Sequence, residues 1–404
     1  MVKLLFFECQ KHFWKKSLLI VIICFSLLNI TKIYAEYHEN SLLSPKANPG
    51  WNGLYWEMYE KFGGLMTVNK IEELMSIYHP LQQQTAEKTA STETNNPNTY
   101  TGNIYNDHLF FQWNYVHPME YAYMYKHYAN DVVRTAEDNL AFFETVGNKY
   151  EYKKNEIIID RFQGRKIDTF SYTEMFQSYI HYDFSAFLVL LICLYALMSV
   201  FITERETEMD LLLLTTKAGG EKTTFAKLLS ATIFVCIISF WFGLMDFVAF
   251  ASFFGSLEAF SSPVYTIENF VNSSINLTLG EYVFLSWMVK TIGILVLSIL
   301  FLFVSLFFRN ALFPFVIHLF LLFGLIYFQE AYMGSQRIIL KVINPFSLVV
   351  NRELFSKTEF VNIFGFPILS YTAAICIALL WGIICFFCIL TFRKKNTACR
   401  MGGK

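Results

Sequence analysis

Charge is scarce in this 404-residue chain: Asp, Glu, Lys and Arg together make up 16%, against about a quarter in ordinary soluble domains. That shortage argues against a soluble enzyme. The 54% of hydrophobic residues excludes disorder over most of the length, because so much apolar surface demands burial. Neither sign of charge dominates. Thirty-two Lys and Arg against 33 Asp and Glu leave a net charge of -1, so the chain lacks the basic face of a nucleic-acid binder. Cysteine is missing from the whole stretch 36–183, since all eight (9, 24, 193, 236, 376, 385, 388 and 399) fall elsewhere. A disulfide-stabilised secreted domain would look different. Also missing are an HExxH motif, an intramembrane Ser/His/Asp set and a di-acid cluster, which disfavours a membrane-bound enzyme. The nearest approach to a phosphate-binding loop, "GGEKTT" at Gly219 to Thr224, puts Glu221 where phosphate would lie and lacks the G-x-x-x-x-G-K-[ST] spacing.

What the chain has instead is long apolar runs. About 20 such residues cross a hydrocarbon core, and six stretches qualify: 17–35, 184–202 and four within 227–392, near 227–254, 282–308, 311–328 and 367–392. The first run follows Lys11, Lys15 and Lys16 and ends in "IYAE", a loose signal-peptide pattern. An uncleaved span is the expectation, because Val2, Leu5, Phe6, Cys9 and Phe13 put an apolar stripe on residues 1–16, as an interfacial helix does. Lys and Arg cluster before the first span, in 203–226, at Arg309 and in the tail 393–404, and are absent from the loop near 255–281. Six spans bring those four basic segments to one side, the cytoplasm, so both termini are expected inside a plasma membrane. The loop near 329–366 is the exception, with Arg337, Lys341, Arg352 and Lys357.

Residues 36–183 then form an extracellular domain, long enough for one folded unit. Thr67 precedes a helical stripe (Ile71, Leu74, Met75, Tyr78) that stops at Pro80, and 82–103 is a polar excursion. Pro118 opens a helix that stops at Gly147, and "EIIIDRF" (156–162) is the best strand candidate. The expectation is an α+β, mainly helical domain. Tyr121, Tyr123, Tyr125 and Tyr128 circle a helix, a pattern of core packing or of an aromatic strip for an amphipathic peptide or lipid. Its histidines, including His108, His117, His127 and His181, show no close metal-type spacing. Asn272 and Asn276 head glycosylation sequons that matter only in a eukaryotic cell.

The most informative stretch joins the second and third spans, "FITERETEMDLLLLTTKAGGEKTTFAKLLSA". Glu204, Arg205, Glu206, Glu208 and Asp210 crowd the end of one span. Met209 and Leu211 to Leu214 are too few to cross a bilayer, Gly219 and Gly220 break the helix, and Lys217, Lys222 and Lys227 lead to re-entry. This reads as an amphipathic element whose leucine ridge, Leu212 included, docks on a soluble partner, or else as a plain interfacial loop with a solvated charge run. The pattern F-x-x-E-R-E-x-x-x-x-L-L-L-L-T from Phe201, followed by Lys227, resembles type-2 ABC transporter permeases. The N-terminal elbow, the large domain between spans one and two, the "FFRNALFP" turn and the "YEKFGGLMTVNKIEELMSIY" and "NKYEYKKNEIIIDRFQGRKI" runs are similar to Gram-positive bacterial members.

The resemblance implies an ABC exporter's membrane subunit without a cofactor of its own. ATP and Mg would be held by a separate ABC ATPase, coupled through Glu204, Arg205, Glu206, Glu208, Met209, Leu212 and Lys217. A second permease, identical or not, and membrane lipids complete the partners, with no nucleic acid. The cargo would be a peptide, antibiotic or lipid-like amphiphile. The alternative is a sensor or resistance component that binds an extracellular peptide and signals without transport. Two departures stand out: Met209 or a neighbour replaces a Gly common in the family, and a 38-residue loop, 329–366, broken at Asn344-Pro345, replaces the usual re-entrant helices.

Ionisable residues within spans carry a functional expectation. Asp246 and Lys290 each lie 8 residues from the outer end of their spans, about 12 Å deep at 1.5 Å per residue, which predicts a buried ion pair. His318 is expected to hydrogen-bond between helices. Cys385 and Cys388 form a CxxC inside an apolar span, where small packing residues outweigh metal or redox chemistry.

Overall fold

The computed structural model describes residues 1–44, 46, 48–87, 99–207, 209, 220–332 and 337–402. It is mainly helical. In chain order the helices are α1 (Val2–His12), α2 (Lys16–Asn40), α3 (Trp51–Phe62), α4 (Val68–Glu87), α5 (Ile104–Phe111), α6 (His117–Val146), α7 (Lys149–Phe162), α8 (Glu174–His181), α9 (Phe184–Leu197) and α10 (Ser199–Glu206). After them come α11 (Glu221–Phe254), α12 (Leu279–Ser305), α13 (Leu312–Tyr332), α14 (Ile338–Ile343), α15 (Phe346–Val349), α16 (Arg352–Ser356) and α17 (Ser370–Gly402). Six helical runs are long and apolar enough to cross a membrane: Lys16–Asn40, Glu174–Glu206, Glu221–Phe254, Leu279–Ser305, Leu312–Ala331 and Ser370–Lys394. They coincide with the six apolar runs of the sequence, each within a few residues except for the second, which starts ten residues earlier.

The chain divides into two units. The first comprises Met1–Thr31, Ile180–Ala249 and Val283–Lys404. Helix α9 lies at its centre: apolar nearly all round, it buries ten of its 14 residues, as a helix with no polar face must. Leu190, Leu194 and Leu197 meet Val235, Ile238 and Phe242 of α11 and Leu297 and Phe301 of α12 in one core. Small residues allow close approach. A Cβ on Gly243 would sit 2.5 Å from Trp287 Nε1, and one on Gly293 2.9 Å from the Leu348 Cβ. One polar cross-link is reciprocal: Ser286 donates to Asn351 Oδ1 at 2.9 Å while Asn351 Nδ2 donates to the Ser286 carbonyl at 2.8 Å.

One expectation changes in this unit. The segment 329–366 is no plain loop: α13 runs on to Tyr332, and α14, α15 and α16 follow. Asn344-Pro345 does break the helix, between α14 and α15, yet Val342, Phe346, Leu348 and Val349 are buried on either side of it. A hairpin, β3 (Phe360–Ile363) with β4 (Phe366–Leu369), closes the segment through Phe364 and Gly365, both at positive φ. The apolar stripe on α1 is left partly uncovered by the protein, as on an interfacial helix. Val2, Phe6 and Phe7 are exposed, while Glu8 and His12, one turn apart, are the buried residues of the helix.

The second unit comprises Lys32–Tyr179 and Phe250–Tyr282, so it takes in the loop near 255–281 as well as most of 36–183. Its core is aromatic: Tyr55, Phe62, Phe110, Phe111, Tyr115 and Phe176 are nearly or fully buried, and the Tyr115 hydroxyl donates to the Tyr55 carbonyl at 2.6 Å. Helix α6 ends at Gly147, whose φ of 73° admits the turn into α7. Its only sheet among the described residues is a two-residue ladder, β1 (Gly64–Leu65) with β2 (Thr169–Phe170). The predicted strand 156–162 is instead the end of α7. Asn148 caps that helix through the Glu151 amide and Lys154 pairs with Glu151 within its first turns, local order that outweighs the β preference of three consecutive Ile. Helix α4 likewise runs through Pro80 to Glu87, shortening the polar excursion, of which 88–98 lie outside the described residues.

The tyrosine run divides by exposure. Tyr125 is buried and stacks on Tyr265 with ring centroids 4.7 Å apart, Tyr121 donates to the Tyr265 carbonyl at 2.8 Å, and Tyr123 is exposed. Buried Arg165 locks the same place, donating to Asn276 Oδ1 (2.6 Å), the Tyr125 hydroxyl (3.2 Å) and the Ser273 (2.7 Å) and Ile275 (3.2 Å) carbonyls. Core packing thus accounts for most of the run.

Candidate functional site

Helix α10 ends in Glu204, Arg205 and Glu206, and each of the three holds the end of another helix. Glu204, 1% exposed, pairs through Oε1 with Lys11 Nζ of α1 at 2.8 Å and through Oε2 with Lys227 of α11. Arg393 of α17 lies 3.9 Å from the same carboxylate. Lys227, 0% exposed, also donates to the Val200 carbonyl at 3.1 Å and sits 5.3 Å from the Phe201 ring centroid. Arg205 donates to the Leu306 carbonyl and, at 3.1 Å, to that of Phe308, where unpaired carbonyls follow the C-terminus of α12. Glu206 accepts from the Ala311 amide at 3.3 Å, at the N-terminus of α13, where a carboxylate is electrostatically favoured.

A helix end that ties α1, α11, α12, α13 and α17 together in this way is mechanically continuous with the segment leaving it. Of the predicted coupling residues, Met209 is exposed, while Glu208, Leu212 and Lys217 lie outside the described residues. The Glu204–Lys227 pair joins the two helices that flank 207–220, α10 and α11, across the base of that connection.

Sequence reasoning missed Glu8 and His12. His12 Nε2 lies 3.3 Å from Glu8 Oε2, with both side chains buried. Burial pushes the His12 imidazole below its ordinary range, and the nearby Lys227 and Lys11 add to that against the opposing pull of Glu8. The signal in the sequence was an acid and a histidine four residues apart on one short helix. Ligand atoms of Glu8, His12 and Glu204 lie within 4.8 Å of one another. A metal there would face Lys11, Lys227 and Arg393 around the same carboxylate, so the cluster has the charge pattern of an ion-pair network rather than of a metal centre.

The intramembrane residues are arranged differently from the expected pair. Asp246, buried, accepts from Asn29 Nδ2 at 2.6 Å, and Asn29 Oδ1 in turn accepts from the Tyr182 hydroxyl at 2.7 Å. Lys290 pairs with Asp183 at 3.1 Å instead, a carboxylate shared with Arg352 at 3.3 Å. Equal depth did not bring Asp246 and Lys290 into contact, because Asp183, at the start of α9, lies nearer the ammonium. His318 of α13 is buried against Phe301 of α12, ring centroids 4.8 Å apart, and its imidazole also meets the Phe301 backbone. The expected interhelical contact is thus made to one residue, through its ring and its backbone. Cys385 and Cys388 are free thiols.

The six apolar helical runs and the buried charge network give the chain the make-up of a multi-pass helical membrane protein. A scan against protein-family models and a search of curated proteins return no match.

Proposed function

We propose that the chain is the permease subunit of a type-2 ABC exporter. It lies in the plasma membrane with both termini in the cytoplasm and residues 36–183 outside, and moves a peptide, antibiotic or lipid-like amphiphile. A separate ABC ATPase binds ATP and Mg, and the permease works as a homo- or heterodimer. The observation that carries the reading is the engagement of Glu204, Arg205 and Glu206 with α1, α11, α12 and α13. An ATPase that grips the leucine-ridged connection after Glu206 pulls on a helix end already fastened to the ends of its neighbours, so a small displacement is shared by the helical unit rather than absorbed in a loose loop.

The test is affinity purification of the tagged chain from its own cells in mild detergent. The expected result is a co-purifying ATP-hydrolysing subunit, whose recovery falls when Leu212→Asp or Glu206→Ala is introduced. Wild-type protein that is folded and abundant yet brings down no ATPase overturns the reading. Capture of an ATPase without ATP-dependent movement of an amphiphile in reconstituted vesicles replaces the exporter with the sensor.

A further inference from the structure

Within the first unit, α12, α13, α17 and the break between α14 and α15 line a half-open cavity of about 480 Å³, within the range of small-ligand sites. Its walls include Val296, Leu325, Phe328 and Trp381, and no charged side chain lines it among the described residues. The one carboxamide there, Asn344, is already engaged: its Nδ2 donates to the Leu325 carbonyl at 3.2 Å and its Oδ1 accepts from the Phe346 amide at 3.0 Å. Gly324 opens the α13 wall, since no atom lies within 4 Å of where its Cβ would be.

Water needs two to four polar partners to stay in such a space, and this lining offers almost none. An empty space forfeits the dispersion contacts of its walls. The three long helices around the cavity are all long and apolar enough to span a membrane. Next to the cavity, α13 and α17 carry apolar side chains left largely uncovered among the described residues: Phe320 is 76% exposed, and Ile384 is 53% exposed. The cavity is thus continuous with a surface that hydrocarbon bathes in a bilayer.

We propose that this cavity seats one acyl chain of a bilayer phospholipid, which enters between α13 and α17 and ends against Ile343, Asn344 and Pro345. The occupant completes the packing of the point where α14 stops and α15 begins. The inference depends on the helices lying in a bilayer and not on the permease reading: a lipid-tail site needs no ATPase, and loss of either leaves the other standing.

The experiment uses the full chain with Trp381 as its single tryptophan, the other six replaced by Phe, purified in a sterol-based detergent that carries no alkyl tail. Phosphatidylcholine with brominated acyl chains, which quench indole on contact, is titrated in, and native mass spectrometry counts bound lipid. The expected result is quenching that saturates at one lipid per chain. Half-saturation should shift at least tenfold in Gly324→Leu and less in Gly324→Ala, whose smaller side chain guards against misfolding. Circular dichroism and gel filtration of both variants should match the parent. Quenching that climbs without saturation and is the same in parent and variants overturns the site. Saturable quenching by 12-bromododecanoic acid but not by the phospholipid overturns the bilayer source.

Discussion

Removing either partner of the Glu204–Lys227 pair leaves a buried charge, but the two removals are unequal. In Glu204→Gln the Lys227 ammonium, fully buried, keeps the Val200 carbonyl at 3.1 Å, the Phe201 ring and the attraction of the nearby Glu8 carboxylate, but loses its direct ion pair. Breaking a buried pair in that way costs about 3–5 kcal/mol. In Lys227→Met the Glu204 carboxylate keeps Lys11 at 2.8 Å and Arg393 at 3.9 Å, so the cost falls to about 1–3 kcal/mol, that of an imperfectly satisfied buried group. Because the two side chains are in contact, the double variant should cost less than the sum by about 1–3 kcal/mol. Unfolding in detergent micelles, followed by tryptophan fluorescence, gives all four corners of the cycle. Lys227→Met costing as much as Glu204→Gln, or additivity to within about 0.5 kcal/mol, refutes the claim that Glu204 is the hub of the cluster.

A depressed His12 makes its own contribution depend on pH. The folded protein holds the ring neutral to a lower pH than the unfolded chain, which takes up a proton near pH 6.5. That contribution is therefore complete above about pH 6.5 and is lost as pH falls from there towards the folded value. Stability measured from pH 8 to 5 should decline less steeply in His12→Gln than in the parent, and parallel curves would remove His12 from the account. For the intramembrane charges, Asp183→Asn with Lys290→Met should show a coupling energy of about 0.5–3 kcal/mol, whereas Asp246→Asn with Lys290→Met should show a smaller one, since no direct ion pair joins them. The reverse order in unfolding cycles would restore the pairing that equal depth suggested.

The positions of the six long helices were readable because a run of apolar residues long enough to cross hydrocarbon has few other stable uses. The turn at Gly147 was readable because a left-handed residue after a helix is nearly a glycine monopoly. The segment 156–162 misled for the opposite reason. Three adjacent Ile mimic a strand, and the deciding signals, the Asn148 cap and the Glu151–Lys154 pair, lie at the other end of the same helix. Helices α14 and α15 were hidden by Asn344-Pro345, which marks a break without saying whether helices stand on either side.

The site was half legible, and the missing half follows from one physical point. An apolar stripe on a helix identifies the side facing the protein only if water lies on the other side. On α1 Val2, Phe6 and Phe7 are exposed together with Lys3 and Gln10, while the buried residues are Glu8 and His12. A helix with that inverted pattern is stable where its surroundings are apolar and the protein supplies the charges. Lys11 anchors the helix to Glu204, and Phe13, just beyond its end, stacks on Phe234 at 4.4 Å. The inversion also explains why depth failed for Asp246 and Lys290. Periodicity and depth locate a residue along a span, but which neighbour it meets depends on azimuth. In a bundle whose outer surface is as apolar as its interior, the sequence pattern carries little information about azimuth.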